Sequence, residues 1–329
     1  MSLLSKKAAL EQRQIILRAV RDYLFQAGYL EVQVPLLIRG TNPDAFLTSF
    51  EVTENDQLRG YLTTSTEFQI LRLLAAGYDK VYTIASNFRA GDKDQTHNPE
   101  FTMLEWEAAN VGMEVIEKEA EGIVLAAVGA LKDVSPSHLG RGVRGEGAFE
   151  RLSVREAFKK YLGINIALDF SLASMVEEIK KAGLDAPQNF LDDQGILFSW
   201  LIDKISPKLG FEKPTWLYEW PIFQTSMAEP VKGNPEAADR SELYINGLEI
   251  ANGFTTVSDA EKQKALFDFQ QAERQRLGKK PIVVDEKYLE DIKKMPPAAG
   301  MAMGIDRLVM ILTGASEINE VLTFGSDEL

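Results

Sequence analysis

The dipeptide Asn246-Gly247 lies between two runs of residues with a strand-like pattern. Both central residues of a type I′ turn adopt positive φ, which Asn and Gly accept at low cost, so this pair predicts a tight antiparallel hairpin. The turn would place Tyr244 opposite Glu249, with Glu242 as a diagonal neighbour of Glu249 on the same face. Two such carboxylates either bind a divalent cation, most simply magnesium on a nucleotide, or lie on a solvated face beside lysines. The hairpin alone favours neither interpretation.

A second hairpin is predicted where two alternating segments, Val81 to Arg89 and Phe101 to Glu107, flank a polar loop that extends to Asn98. The loop is longer than a turn requires, so it is a candidate for ligand binding. Alternation in the second segment puts the ring of Phe101 and the acids Glu105 and Glu107 on one face of the strand. A purine could stack on the ring, and the acids could bind a cationic group. Arg89, at the start of the loop, carries a planar guanidinium that suits a phosphate group.

Helices and strands alternate irregularly along the rest of the chain. The pattern predicts an N-terminal helix that ends near Gly28, a strand from Tyr29 to Val34, a strand and a helix between Leu58 and Leu74 with the helix starting at Ser65-Thr66-Glu67, a strand from Trp216 to Pro221, a helix from Asp259 to Leu277, and a strand followed by a helix from Gly300 to Ile311. Hairpins separated by mixed segments favour an α+β fold, an antiparallel sheet flanked by helices, over a doubly wound parallel sheet. We expect one domain over residues 1–329, with a flexible linker near 134–150 and a helical insertion near 153–213.

The segment from Gly300 to Arg307 alternates small and large residues before a predicted helix. Gly300, Ala302 and Gly304 leave one face of the strand nearly bare, which suits either a ligand near the backbone or a helix packed closely on the sheet. The start of the following helix offers free N–H groups, and Arg307 adds a positive charge suited to a polyphosphate. The Asp306-Arg307 pair favours the binding interpretation.

Composition excludes several kinds of site. The chain has no cysteine and only two histidines, His97 and His138, which excludes thiolate sites and nearly excludes multi-histidine metal sites and histidine triads. A metal ion would therefore use oxygen ligands, as magnesium and calcium do. The net charge of −13, from 36 basic and 49 acidic residues, disfavours binding along a nucleic acid backbone. No apolar run reaches the length of a membrane helix and no signal peptide is evident, so we expect no membrane partner and a cytoplasmic location.

These residues resemble the catalytic core of class II aminoacyl-tRNA synthetases, in the lysine branch. The family's first motif is similar to Leu30–Val32 with Pro35, and its second motif is similar to Phe88-Arg89 with the segment His97–Glu105. The third motif is similar to Gly304–Leu308, and the metal hairpin of the lysine enzymes is similar to Glu242–Phe254. Two features favour one branch of this family: the sequence begins directly with the core, and Ala302 stands where the lysyl enzymes have glycine. Both features resemble the elongation factor P–(R)-β-lysine ligase family of truncated lysyl-tRNA synthetase paralogues. The resemblance implies an antiparallel sheet flanked by helices, no anticodon-binding domain, and a homodimer.

The resemblance also implies the use of ATP and Mg²⁺. The positions that match the family's ATP-binding residues are Arg89, Ala90, Gly91, His97, Asn98, Phe101, Glu242, Glu249, Ile250, Gly304 and Arg307. Those that match its amino-acid pocket are Ser65, Thr66, Glu67, Glu105, Glu107, Asn252, Phe254, Thr256 and Ala302. By the same resemblance, Glu242 and Glu249 would bind magnesium. Arg89 and Arg307 would be catalytic, because they would stabilise the charge that develops when a carboxylate attacks the α-phosphorus.

The chain departs from the family pattern in the pocket and in the loop. The lysine enzymes have a tyrosine where Glu107 stands and a glutamate where Thr256 stands, and both serve the side-chain amino group of the substrate. We hypothesise that Glu107 has taken over this cation, which keeps a basic substrate but changes its position. In the loop, Ala90-Gly91 and Gln95-Thr96 replace the usual polar and basic residues, a change expected to weaken the affinity for ATP.

Three functions remain open on the sequence. The leading prediction is an AMP-forming ligase that activates lysine or β-lysine with ATP and transfers it to a lysine of a protein partner, elongation factor P. The second is a truncated lysyl-tRNA synthetase, although the acidic charge makes tRNA an unfavourable partner. The third is a non-catalytic binding protein, which the altered loop favours and the retained charges of Arg89, Glu242, Glu249 and Arg307 oppose.

Overall fold

The computed structural model describes residues 3–131, 149–326 and 328, and these fall into two compact units. Residues 3–131, 256–326 and 328 form the first unit, and residues 149–255 form the second. Residues 134–148 of the predicted linker, His138 among them, lie outside the described residues. In the described part of the chain, every helix is too short or too polar to span a membrane.

Helices and strands follow one another in a mixed order. The helices in the described residues are α1 (Lys7–Gln26), α2 (Glu67–Ala75), α3 (Met113–Leu131), α4 (Val154–Leu162), α5 (Leu172–Lys181), α6 (Gln194–Ile205), α7 (Ala260–Arg276), α8 (Glu286–Asp291) and α9 (Ile305–Thr313). The strands are β1 (Leu30–Glu31), β2 (Leu37–Ile38), β3 (Glu51–Glu54), β4 (Gln57–Leu62), β5 (Lys80–Phe88), β6 (Glu100–Ala109), β7 (Glu150–Ser153), β8 (Thr215–Pro221), β9 (Pro230–Val231), β10 (Asn234–Ile245), β11 (Leu248–Thr256) and β12 (Ala298–Gly304).

The main sheet of the first unit has the strand order β1-β5-β6-β12. The predicted hairpin is the antiparallel pair β5 and β6, and β12 lies antiparallel on the other side of β6. In this register Thr83 and Ala302 flank Glu105, while Val81 and Gly300 flank Glu107. A separate three-stranded sheet has the order β2-β4-β3. The acids of β6 therefore lie between two strands on one face, as their parity predicts.

The strand predicted from Tyr29 to Val34 is wrong in its extent. Strand β1 contains only Leu30 and Glu31 and pairs in parallel with β5. The Tyr29 N–H instead donates to the Leu24 carbonyl oxygen at 3.0 Å and closes the end of α1. Pairing with β5 ends where the Val32 N–H donates to the Tyr82 carbonyl oxygen at 2.8 Å. The strand is therefore limited on one side by the turn that ends α1 and on the other by Pro35, which has no N–H group to pair.

The second unit contains the predicted hairpin of β10 and β11 in a sheet of order β11-β10-β8-β7, and β9 also pairs with β10. Strands β7 and β8 are parallel, because α4, α5 and α6 form the crossover that a parallel pair requires. These helices lie in the range predicted as a helical insertion. Phe198 on α6 is the centre of their core, with its ring edge-on to Phe158, Phe170, Trp220 and Phe223.

Candidate functional site

Ser65 and Thr66 hold the carboxylate of Glu105 at the start of α2. The Thr66 N–H donates to Oε2 of Glu105 at 2.6 Å, and the hydroxyl groups of Ser65 and Thr66 also donate to this carboxylate. Helix α2 begins at Glu67 as predicted, but Thr66 makes no side-chain capping bond. Its hydroxyl group instead donates to the distant acid, and hydrogen bonds to a carboxylate are among the stronger ones in proteins.

Glu67, Glu105 and Glu107 form an acidic cluster in the first unit. Glu105 and Glu107 are only 2% and 3% exposed. Burial, followed by the charges of Glu67 and Glu105, raises the pKa of Glu107 well above its usual range. Burial and Glu105 raise the pKa of Glu67 to about 8. Burial also raises the pKa of Glu105, although the bonds from Ser65 and Thr66 and the charge of Arg89 oppose the shift. Acids whose ionisation is opposed by burial and by one another are suited to a cationic ligand, which would favour their charged forms.

The small residues of β12 provide the space for this cluster. Gly300, Ala302 and Gly304 lie opposite Glu107, Glu105 and Met103, so the predicted bare face is present. A Cβ atom added to Gly300 would collide with the carboxyl group of Glu107. The acid therefore lies across the glycine and uses the volume that a side chain at position 300 would fill.

Arg89 and Phe101 form the first part of the predicted nucleotide site. The Arg89 N–H donates to the Pro99 carbonyl oxygen at 2.9 Å and closes the loop between β5 and β6. The guanidinium carbon of Arg89 lies 5.0 Å from the centroid of the Phe101 ring. The buried Nε of Arg89 has no hydrogen-bond partner within the described residues. A buried cationic donor beside an aromatic face suits a nucleotide phosphate and base.

The loop brings His97 against Arg307. The Nε2 atom of His97 contacts a guanidinium nitrogen of Arg307, and its Nδ1 lies 2.9 Å from the Asp94 carboxylate. Helix α9 begins directly after Gly304, and Arg307 is in its first turn. Ala90 bonds through its N–H to the Thr48 carbonyl oxygen at 2.8 Å, and Gly91 has a φ of +92°, a conformation that favours glycine.

Asn98 is bonded at both ends of its amide. Its Nδ2 donates to the Glu100 carbonyl oxygen at 2.6 Å, and its Oδ1 accepts from the Ser326 N–H at 3.1 Å. The side chain predicted to bind adenine thus also links the loop to the segment near residue 326. These internal bonds fix the orientation of the amide.

Arg13 and Asp306 fix the start of α9, and the sequence analysis missed this role. Arg13 on α1 donates to Oδ1 of Asp306 at 2.5 Å and to the Thr102 hydroxyl at 2.8 Å. The second oxygen of Asp306 accepts the Thr102 N–H at 2.7 Å. Asp306 therefore holds the helix that carries Arg307 against β6. Its pairing with a residue nearly 300 positions away has no local sequence signal.

The hairpin of the second unit has the predicted turn and an unpredicted bulge. Asn246 and Gly247 have φ values of +50° and +79°, and Tyr244 lies opposite Glu249 as expected. The next strand pair in the register is Leu243 with Ala251, which leaves Ile250 as an extra residue in β11. The bulge changes the parity of the strand, so Glu249 shares a face with Asn252 and Phe254. If the same sequence paired as a regular strand, Ala251 and Gly253 would take those places.

Glu242 lies on this same face and is 4% exposed. It accepts hydrogen bonds from Arg240 at 2.6 Å and from the Tyr244 hydroxyl at 2.7 Å. Burial and the charge of Glu249 raise the pKa of Glu242 to about 7, although Arg240 opposes the shift. Arg240 also donates to Oδ1 of Asn252 at 3.0 Å, and it was missed because an arginine in a strand is usually a surface residue. Two repelling carboxylates with hard oxygen atoms fit the requirements of a magnesium ion.

Two further predicted site residues, Thr256 for the amino-acid pocket and Ile250 for ATP, lie on β11 of the hairpin. Thr256, the last residue of β11, is 1% exposed, and its hydroxyl has no hydrogen-bond partner within the described residues. Ile250 is buried at the bulge. Most predicted site residues thus fall into two groups, one around β6 in the first unit and one on the hairpin of the second.

Comparison with known proteins gives one family model and several relatives that match nearly the whole chain. The family model described as tRNA synthetases class II (D, K and N) matches residues 4–328. The elongation factor P–(R)-β-lysine ligase of Haemophilus influenzae strain PittGG is 31% identical over 323 residues, which cover 96% of this chain and 94% of the relative. The proteins of that name from Pectobacterium atrosepticum and Photorhabdus laumondii are 32% and 33% identical over 324 residues, with the same coverage of both chains.

Proposed function

Because the chain belongs to the class II tRNA synthetases of the D, K and N group, we propose that it activates a basic amino acid with ATP and transfers it to a lysine of elongation factor P. The predicted family and the α+β fold are confirmed. The observation that carries the proposed substrate class is the cluster of Glu67, Glu105 and Glu107, in which Glu105 and Glu107 are buried and Glu67 is half-buried. A cation bound among these acids would favour their ionised forms. The names of the three relatives support elongation factor P as the acceptor protein.

In the first step of the proposed reaction, a carboxylate oxygen of the amino acid bonds to the α-phosphorus of ATP as the bond to pyrophosphate breaks. Arg89 would stabilise the charge on the α-phosphate, and its unpartnered Nε is available for this contact. Arg307, at the N-terminus of α9, would bind the terminal phosphates. In the second step the lysine amine bonds to the carbonyl carbon and AMP leaves.

Glu242 and Glu249 would hold the magnesium ion, which supplies positive charge to neutralise the phosphates. Arg240 and Tyr244 orient the Glu242 carboxylate by donating to both of its oxygens. These two donors leave the remaining lone pairs of the carboxylate to a cation. In the altered loop the Ala90 N–H donates to the Thr48 carbonyl oxygen, which fixes the start of the loop beside Arg89.

The homodimer remains a prediction. Phe25, Leu30 and Leu37 lie around the segment that resembles the first motif, and each is about half exposed or more. Exposed apolar side chains in one segment are typical of a surface that another protein covers, which supports self-association through this segment.

The experiment that tests the proposed function is amino-acid-dependent ATP–pyrophosphate exchange. A panel of lysine, both β-lysines, ornithine and neutral amino acids is expected to support exchange with a basic amino acid and not with neutral ones. Transfer of the labelled amino acid to elongation factor P rather than to tRNA would then identify the acceptor. Folded protein that exchanges with no amino acid would favour a non-catalytic binding role, and efficient charging of tRNA would favour the synthetase alternative.

The affinity for the basic amino acid is expected to rise as the pH increases from about 6 to about 8. The pKa of Glu67 is raised to about 8, and the titratable groups around it are Glu105, Glu107 and Tyr288. A protonated Glu67 forms no ion pair with an ammonium group, so binding below this pH must release a proton. Release of one proton corresponds to about a tenfold gain in affinity per pH unit. Calorimetry in two buffers of different ionisation enthalpy measures this release, and its absence in mildly acidic buffer would contradict the prediction.

A further inference from the structure

Arg240 on β10 bonds to two side chains that are assigned to different ligands. Its Nη2 donates to Oε1 of Glu242, a proposed magnesium ligand, at 2.6 Å. Its Nε donates to Oδ1 of Asn252, a predicted residue of the amino-acid pocket, at 3.0 Å. Glu242 and Asn252 are cross-strand partners, and Arg240 precedes Glu242 by two residues, so one guanidinium reaches both. The proposed magnesium site and the amino-acid pocket are therefore joined by a single side chain.

The guanidinium of Arg240 is fixed by three hydrogen bonds and an aromatic ring. Its Nη1 donates to the Gln224 carbonyl oxygen at 2.7 Å, so each of its three nitrogens has a different partner. Its central carbon lies 4.5 Å from the centroid of the buried Trp220 ring. The Arg240 side chain is 16% exposed. A planar group held in this way cannot move towards one partner without weakening its bond to another.

The bond from Arg240 determines the orientation of the Asn252 amide. An asparagine amide has an acceptor oxygen at one end and a donor N–H group at the other, and the two ends exchange places when the side chain turns over. Because Oδ1 accepts from Arg240, the amino group of the amide points away from the guanidinium. A ligand that contacts Asn252 therefore meets N–H donors, whereas without Arg240 it would meet either end.

The same arginine limits the orientation of the Glu242 carboxylate. Arg240 bonds Oε1 and the Tyr244 hydroxyl bonds Oε2, so the carboxylate cannot rotate without losing a bond. Residues that orient a metal ligand without contacting the metal change metal affinity or activity by about 10- to 100-fold when they are replaced. A change at Arg240 should therefore alter the magnesium site and the amino-acid pocket together.

We propose that Arg240 is a positioning residue shared by the two ligands, because it holds the Asn252 amide for the amino acid and the Glu242 carboxylate for magnesium in one geometry. This inference rests on the proposed function, from which it takes the roles of Glu242 and Asn252. It deepens that function by naming one side chain that acts on both ligands through other residues.

The test measures the two affinities separately by calorimetry, so neither measurement requires turnover. Dissociation constants are determined for lysine and (R)-β-lysine without ATP, and ATP binding is measured over a series of Mg²⁺ concentrations. Arg240→Gln should raise the dissociation constant of the amino acid about tenfold, because a hydrogen bond from a charged group no longer orients Asn252. It should also raise the Mg²⁺ concentration that gives half-maximal ATP binding about tenfold.

Arg240→Lys separates the positioning role from the effect of charge. Lysine keeps a positive charge beside Glu242 but lacks the planar fork that serves two acceptors at once. The magnesium requirement should therefore return most of the way to the wild-type value while the affinity for the amino acid stays low. Arg151→Gln is the matched control, because Arg151 is an exposed residue of β7 in the same unit and also lies over an aromatic ring, 4.9 Å from the Tyr218 centroid. It should change neither affinity.

Double-mutant cycles show whether Arg240 acts through the two side chains. Arg240→Gln should add little to the loss of amino-acid affinity in an Asn252→Ala protein, and little to the magnesium shift in a Glu242→Gln protein. Full additivity in either cycle would overturn the shared role. Unchanged affinities in a folded Arg240→Gln protein would overturn it as well, as would an effect confined to one ligand.

The binding measurements and the exchange assay together separate this inference from the proposed function. Wild-type protein whose two affinities depend on Arg240 as described, but which supports no exchange, would keep the inference and contradict the proposed function. Exchange with a basic amino acid, together with affinities that do not depend on Arg240, would do the reverse. Folded wild-type protein that binds neither the amino acids nor ATP would contradict both.

Discussion

Replacement of Arg89 with alanine is expected to lower the rate of amino-acid-dependent pyrophosphate exchange about 1,000-fold. Arg89 lies beside the Phe101 ring, its charge acts on Glu105, and its buried Nε lacks a partner within the described residues. It can therefore contact the amino-acid carboxylate and the α-phosphate during the in-line attack. Because the guanidinium binds two oxygens through a planar fork, Arg89→Lys should restore only part of the rate. Steady-state exchange kinetics with saturating amino acid measure both effects.

Arg18→Ala is the matched control for this substitution. Arg18 lies on α1 in the same unit, and its side chain is 84% exposed. Its loss should leave the exchange rate unchanged, and circular dichroism and thermal unfolding should show that all variants remain folded. An Arg89→Ala protein that retains most of its exchange activity would exclude a role for Arg89 in charge stabilisation.

Replacement of Glu242 with glutamine is expected to lower the exchange rate about 100-fold and to raise the Mg²⁺ concentration that gives half the maximal rate. The change removes one of two negative charges from the hairpin face. It also places amide N–H groups against the donors of Arg240 and Tyr244, which already bond both oxygens of Glu242. Magnesium titrations at fixed ATP measure the shift.

The pH dependence of the magnesium titration provides a second readout for Glu242. Its pKa is raised to about 7 by burial and by Glu249, so wild-type Mg²⁺ affinity should increase as the pH passes upward through this value and the carboxylate ionises. Glu242→Gln should flatten this dependence. Glu236→Gln, at an exposed position of the same strand, should behave as the wild type. An unchanged magnesium requirement in Glu242→Gln would mean that another group holds the ion.

Interactions between residues close together in the sequence explain the parts of the fold that the sequence predicts well. The Asn246-Gly247 turn determines its own hairpin register, and the alternation from Phe101 to Glu107 places both acids on one face of β6. The small residues of β12 also predict a bare strand face. Each of these inferences depends on neighbours within a few residues, where backbone geometry leaves few alternatives.

Contacts between distant segments explain what the sequence does not reveal. Ser65 and Thr66 have the composition of a helix cap, yet they bond Glu105, some 40 residues away. Tyr288 lies far along the chain from Glu67 and Glu107, and only the packing that stacks its ring on Phe68 brings it within the electrostatic influence of these acids. Arg240 likewise becomes an orienting group only because Glu242 and Asn252 share its face of the sheet.

The bulge in β11 makes the pairing of the two strands part of the chemistry of the hairpin. Asn252 and Phe254 share a face with Glu249 only because Ile250 is an extra residue in the register. If the same sequence paired as a regular strand, Ala251 and Gly253 would take that face, although no functional side chain would have been removed. Deletion of Ile250 would instead give a regular ladder that keeps Asn252 and Phe254 in place. An engineer who transplants this hairpin into another scaffold must therefore copy the bulge with its residues, or remove the bulge together with the residue that forms it.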